Sequence, residues 1–202
     1  MSDDDINERH RARKQRIQTA RGKMMAQKTR EGGLLMVHTG NGKGKSTAAF
    51  GMVLRALGWD MKVGVVQFVK GAWKTGEAQF FRRFSDLITF ETMGEGFTWD
   101  TQDRERDIAA AQRAWDRGLE MLHDPSFDFV LFDELNIVLR YDYLDPAVVI
   151  AGLKARPEKT HVCVTGRNAK PELIEIADLV TDFTLVRHPF QNGFKVQKGV
   201  DF

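Results

Sequence analysis

The sequence predicts an α/β fold with a mostly parallel central sheet, and two observations carry that reading. After Glu31, Gly32 and Gly33, apolar runs of strand length alternate with segments of helical spacing almost to the end, the pattern of βαβ units. Most of the runs are continuously apolar, as strands covered on both faces should be. Strands are expected at residues 34–38, 63–68, 88–91, 127–132, 161–165 and 179–186. Helices are expected at 47–57, 77–84, 103–122, 146–155 and 171–177. The longest is the clearest: Ile108, Ala111, Trp115, Leu119 and Leu122 share one face, and Asp124 with Pro125 stops it.

With 202 residues, 42% of them hydrophobic, the chain is expected to hold one compact domain with a substantial core, over 32–202, preceded by a basic arm over 1–31. The arm opens with Asp3, Asp4 and Asp5 and then turns basic through Arg9, Arg11, Arg13, Lys14, Arg16, Arg21, Lys23, Lys28 and Arg30. Its sparse apolar residues, Ile6, Ile17 and Met24, leave two readings open, a helix that docks by a narrow stripe or a solvated charged arm. Thirty Lys and Arg stand against 28 Asp and Glu, so there is no global field to draw the protein onto nucleic acid, and no nucleic-acid partner is expected. The single cysteine, Cys163, excludes an intrachain disulfide and a Cys-pair zinc site, and it lies in an apolar run where it reads as core. No apolar stretch approaches the roughly 18 residues of a membrane span, and the charged N-terminus does not read as a secretory peptide. A reducing, cytoplasmic setting and no membrane association are expected.

The chemistry is concentrated where the first strand, Leu34-Leu35-Met36-Val37-His38, runs into Thr39-Gly40-Asn41-Gly42-Lys43-Gly44-Lys45-Ser46-Thr47 before a helix. Strand, glycine loop and helix form the context of a P-loop. Glycines let successive backbone N–H groups turn toward an anion, the helix N-terminus adds positive potential, Lys45 brings a mobile charge, and Ser46 offers a hydroxyl to Mg²⁺. The spacing departs from G-x-x-x-x-G-K-[ST]: counting back from Gly44 the first position is Thr39, and counting from Gly40 the loop is one residue short. A second lysine, Lys43, lies inside the loop, favouring a tight wrap around several phosphates. A three-layer P-loop fold of RecA-like type follows.

The apolar run Phe129-Val130-Leu131-Phe132 ends in Asp133 and Glu134, at the strand edge where open α/β sheets bind ligands. These carboxylates read as Mg²⁺ partners, direct or through water, or as an acidic pair satisfying a helix dipole. Arg167, after the run ending at Thr165, reads either as a phosphate contact or as a surface arginine. Phe97 and Trp99, two residues apart in a glycine-flanked loop, read either as a core pair or as a platform for a large flat ligand. The loop at 67–77 reads as polar and aromatic and sits beside the same edge. His10, His38, His123, His161 and His188 show no metal-ligand spacing, so neither a histidine metal site nor a His-based triad is expected.

Taken together, residues 39–50, the 67–77 loop, 94–102, Asp133-Glu134 and Tyr141-Asp142-Tyr143-Leu144 resemble the P-loop ATP:corrinoid adenosyltransferases of bacterial cobalamin synthesis and salvage. The cradle combined with Phe97-Thr98-Trp99 is far more specific than either alone. The resemblance implies transfer of the 5′-deoxyadenosyl group of ATP to the Co(I) of a reduced corrinoid, with inorganic triphosphate released. The corrinoid class spans cobalamin, cobinamide and cobyrinic acid derivatives. It also implies ATP lying reversed in the loop, so that the short cradle grips a leaving triphosphate.

In roles, the resemblance assigns ATP to Gly40, Asn41, Gly42, Lys43, Gly44, Lys45, Ser46 and Thr47, with Arg167, from its place at a strand end, the further phosphate candidate. Lys43 and Lys45 would stabilise the charge growing on the triphosphate. Mg²⁺, with Mn²⁺ as an alternative, would be held through Ser46 and Glu134, with Asp133 reached through water. Phe97 and Trp99 would lie against the lower face of the corrin ring and displace its axial ligand, making Co(II) reducible by a flavoprotein donor. A homodimer and an N-terminal segment that folds over an active site complete the picture. The main rival is a RecA-like P-loop ATPase or kinase using Lys45, Ser46, Asp133 and Glu134 on a γ-phosphate; a nucleic-acid-binding module using the basic arm is the other.

Overall fold

A computed structural model describes residues 3–69, 75–92 and 103–201 of the chain. The chain divides into two compact units, Met1–Glu31 and Gly32–Phe202. In the first, Asp3–Ala26 forms helix α1, with Asp3, Asp4 and Asp5 in its first turn and Lys23 in its last, both complementing the helix dipole. All of its residues are exposed, because basic side chains recur on every face and no apolar stripe is wide enough to bury. The segment is therefore helical and solvated within its own unit.

The second unit runs β1 (Leu35–Thr39), α2 (Lys45–Leu57), β2 (Val63–Gln67), α3 (Gly76–Phe81), β3 (Ile88–Thr92), α4 (Arg104–His123), β4 (Phe129–Asp133), α5 (Leu135–Arg140), α6 (Pro146–Lys154), β5 (His161–Thr165), α7 (Pro171–Ile176) and β6 (Leu179–Asp182). The strands form one sheet in the order β3-β2-β4-β5-β1-β6, and each pairing is parallel. The α/β class and the parallel sheet are those the apolar runs predict. No helix among the described residues is long and apolar enough to cross a membrane.

The strand period of two divides the core into two layers, one on each face of the sheet. Leu35, Val37, Val66, Val130, Phe132, Val162 and Val164 face one way and pack with Ala111, Ala114 and Trp115 of α4, Val138 of α5, Val149 of α6 and Leu173 of α7. Met36, Val63, Val65, Phe129, Leu131 and Cys163 face the other way and pack with Ala49, Phe50 and Val53 of α2 and Phe81 of α3. Trp115, fully buried, stacks obliquely on Phe132 at 5.4 Å between ring centroids. Register then aligns the C-terminal strand ends: Gln67 lies beside both Thr92 and Asp133, and His38 lies beside both Thr165 and Thr181.

Three local features differ from the sequence reading. The buried stripe of α4 is Ala111, Ala114, Trp115, Gly118, Met121 and Leu122, with Ile108 and Leu119 half-buried at its margin. Helix α5 is additional, since the apolar run of β4 continues into it across Glu134 with no proline or glycine to mark the change. Strand β6 ends at Asp182, four residues short of the expected end, because the backbone of Phe183 leaves the ladder to bond with the glycine loop.

Candidate active site at the C-terminal edge of the sheet

The glycine loop leaves β1 at Thr39 and enters α2 at Lys45. Gly40 and Gly44 take φ of 96° and 106°, the left-handed region that favours glycine. Gly44 caps α2 without a side-chain hydrogen bond, leaving the first-turn N–H groups of Lys45, Ser46 and Thr47 without a capping side chain. That is the ordinary form of an anion site at a helix start.

Lys45 is buried, and its Nζ donates to the carbonyl oxygens of Gly40 at 2.7 Å and Gly42 at 2.5 Å, so the ammonium lies inside the curl of its own loop. Burial pushes its pKa below the usual lysine range; the negative charges of Glu134 and Asp182 oppose the shift, and Arg167 adds to it. The exposed Arg167 thus shares the electrostatic neighbourhood of Lys45, on a turn where Gly166 and Asn168 have φ of 125° and 56°. Burial likewise pushes His38 down, toward the neutral ring, while its Nδ1 lies 3.2 Å from the Lys45 carbonyl oxygen.

A second wall of the cradle comes from the end of the sheet. Phe183 donates its N–H to Thr39 O at 2.9 Å and accepts the Gly42 N–H at 2.6 Å. A Cβ on Gly42 would stand 2.7 Å from the carbonyl oxygens of both Phe183 and Thr184, and one on Gly40 would meet Asp182 Oδ1 at 2.0 Å. These two glycines are therefore required by close approach of another backbone. Lys43 is exposed and ion-paired with Asp201.

The carboxylates of β4 divide in character. Asp133 is fully buried, its Oδ2 accepting from Gln67 Nε2 at 2.9 Å and its Oδ1 from the Thr165 hydroxyl at 2.8 Å. Glu134 alone connects β4 to α5, and so sharp a turn places it at φ 66°, uncommon for a residue with a side chain. Its N–H donates to Thr165 Oγ1 at 2.9 Å. One hydroxyl therefore binds both carboxylate residues. The polar row extends to β3, where Thr92 Oγ1 donates to Gln67 Oε1 at 3.5 Å. Asn136 donates to Gly166 O at 3.0 Å and His38 O at 3.4 Å, tying the ends of β5 and β1, while its Oδ1 is buried with no hydrogen-bond partner.

The arrangement is suited to a polyanion: two lysines, an arginine and a helix start converge at the edge. Its oxygen donors also fit a hard divalent cation, for Ser46 is half-buried in the first turn of α2 and Glu134 is half-buried within electrostatic reach of Lys45. Among the described residues no three His, Cys, Asp or Glu gather around one point, so such a cation would complete its shell with phosphate and water. Asn41 and Thr47 are exposed on the loop. Phe97 and Trp99, and residues 70–74 of the second loop, lie outside the described residues.

Thr165, Asn136, Asp182, Phe183 and Asp201 are the site residues that local pattern does not single out. Thr165 stands at a strand end on the same edge, a signal of position only. The others reach the cradle from distant sequence.

Comparison with known proteins bears on the same residues. The family described as ATP:corrinoid adenosyltransferase BtuR/CobO/CobP matches residues 31–202. A corrinoid adenosyltransferase of Pseudomonas aeruginosa is 55% identical, with 97% of each chain covered. One of Escherichia coli K12 is 44% identical over 97% of this chain and 99% of its own, and one of Salmonella typhimurium 43% identical over the same shares. With a family match that contains the whole cradle and relatives aligned from end to end, the chain belongs to the ATP:corrinoid adenosyltransferase family.

Proposed function

We propose that this protein transfers the 5′-deoxyadenosyl group of ATP to the Co(I) of a reduced corrinoid in cobalamin synthesis or salvage, releasing inorganic triphosphate. The observation that carries the reading is the short glycine cradle, with Lys45 inside it and Lys43 on it, in a chain of this family. Co(I) is itself the nucleophile, attacking C5′ while the carbon–oxygen bond to the triphosphate breaks and its electron pair leaves with the phosphate oxygen. No activated Ser, Cys or His is needed. What the protein must supply is alignment of C5′ with cobalt and stabilisation of charge on the leaving group.

Gly40, Asn41, Gly42, Gly44, Ser46 and Thr47 would wrap the triphosphate with backbone and hydroxyl donors. Lys43, Lys45 and Arg167 would neutralise it. Mg²⁺, or Mn²⁺ in its place, would be held by Ser46 and Glu134 and would supply further charge neutralisation on the phosphates. Asp133, with both oxygens accepting hydrogen bonds inside the protein, serves on this reading to fix Thr165 and through it Glu134, and would reach the metal through water.

Phe97 and Trp99 are proposed to lie against the corrin ring and displace its lower axial ligand, so that a flavoprotein can reduce the cobalt. The assembly is proposed as a homodimer, a reading favoured by the exposed apolar residues of edge strand β6, Leu179 and Val180, and of the following segment, Val186, Phe190 and Phe194. The buried lone Cys163 suits a cytoplasmic location.

Product analysis tests the reaction. Triphosphate formed only with reduced corrinoid is the expected result, while ADP and phosphate would instead indicate the ATPase or kinase chemistry. For the corrinoid platform, Phe97→Ala combined with Trp99→Ala should keep ATP binding and lose turnover from Co(II) corrinoid. Unchanged turnover would overturn that assignment.

A further inference from the structure

The carboxy-terminal segment places a carboxylate within electrostatic reach of each lysine of the cradle. Asp182 acts electrostatically on Lys45, and Asp201 pairs directly with Lys43. The second contact is built, not incidental. Asp201 Oδ2 accepts the Gln197 N–H at 2.7 Å, the Asp201 N–H returns to Gln197 O at 2.8 Å, and Gly199 at φ 80° closes the turn. The Asp201 side chain is only 13% exposed where the Lys43 side chain is 41% exposed, so the flexible partner is the lysine. Upstream, Phe183 bonds the same segment to Thr39 and Gly42 on the loop itself.

We propose that Asp201 tunes product release: it holds the place of a phosphate on Lys43, lowering the affinity of the cradle for free triphosphate. This rests on the reading above that Lys43 receives a phosphate. The physical case is a competition. The ammonium of Lys43 offers its protons either to Asp201 or to a phosphate oxygen, and a fixed carboxylate beside the cradle repels an incoming polyanion in addition. A multiply charged product held by two lysines and a helix start would otherwise dissociate slowly. Returning Lys43 to Asp201 offsets the loss of the phosphate contact.

The test is binding of inorganic triphosphate and of ATP to wild type, Asp201→Asn, Lys43→Gln and the double variant, by calorimetry at two salt concentrations. Asp201→Asn should tighten triphosphate binding about two- to fivefold, the scale of an exposed ion pair, more at low salt, and Asp201→Ser should behave alike. In the Lys43→Gln background the Asp201 substitution should tighten triphosphate binding by a clearly smaller factor, because only the direct repulsion is then removed. Weaker or unchanged binding in Asp201→Asn, with Lys43→Gln itself weakened, overturns the proposal and leaves the role of Lys43 intact. A Lys43→Gln protein that binds triphosphate as wild type does overturns the underlying reading of Lys43 as well.

Discussion

Thr165 holds a position out of proportion to its size. Its single proton goes to Asp133 Oδ1, so its oxygen is free to accept from the Glu134 N–H, and the left-handed backbone of Glu134 is pinned from outside its own strand. Thr165→Val keeps the shape and removes both bonds, leaving a buried carboxylate oxygen and an amide short of a partner at a cost of about 1–3 kcal/mol. The expected outcome is that loss by urea denaturation together with a several-fold rise in the ATP KM, while Thr165→Ser restores both; a folded Thr165→Val with an unaltered ATP KM would refute the link to Glu134. Lys45 offers a pH test at the same scale. Burial lowers its pKa, so its charge opposes folding at neutral pH, and this opposition fades as pH rises through the lowered value. A bound triphosphate favours the charged form and must pull the pKa back up. ATP affinity should therefore decline at a lower pH than an ordinary lysine would dictate, and alkaline binding should take up protons. Calorimetry in buffers of differing ionisation enthalpy measures both.

At the scale of elements, the packing of α4 on the sheet is the joint on which one core layer depends. Trp115 is wholly buried against Phe132, and Gly152 of α6 gives it room, since a Cβ there would approach its ring within 2.8 Å. Trp115→Ala should cost about 3–5 kcal/mol, read as a lower denaturation midpoint at unchanged slope. The expected helix at 103–122 already contained this residue, because a 3.6-residue stripe survives in sequence wherever one helix face is buried. Parallel strands such as β5 were legible for the same kind of reason, being covered on both faces and so apolar throughout. Helix α5 was not, for a one-residue turn through Glu134 joins two apolar elements without punctuation. The end of β6 was equally hidden: Phe183 and Thr184 look like strand, and only the approach of Gly42 from residues far upstream explains why they leave the sheet. The cradle and the Asp133-Glu134 pair stood out as local motifs, whereas their partners Thr165 and Asp201 are set by register and by the path of the chain end.

At the scale of the whole molecule, the two units differ in what sustains them. Both core layers are built from residues of the second unit, and none of α1 is buried. Removing residues 1–30 should therefore leave the thermal midpoint of the remainder essentially where it was. The deleted helix carries Arg9, Arg11, Arg13, Lys14, Arg16, Arg21 and Lys23 with no acidic residue after Glu8. A solvated basic helix of that kind adds nothing to either core layer, and on the proposed reaction the substrate large enough to need covering is the corrinoid. On the same reading, ATP is gripped by the cradle. The truncated protein should accordingly show a corrinoid KM raised more than its ATP KM, measured with chemically reduced corrinoid so that no electron donor enters the assay. Equal KM changes would mean that the arm acts on the catalytic unit as a whole, and an unaltered corrinoid KM would remove it from the reaction altogether.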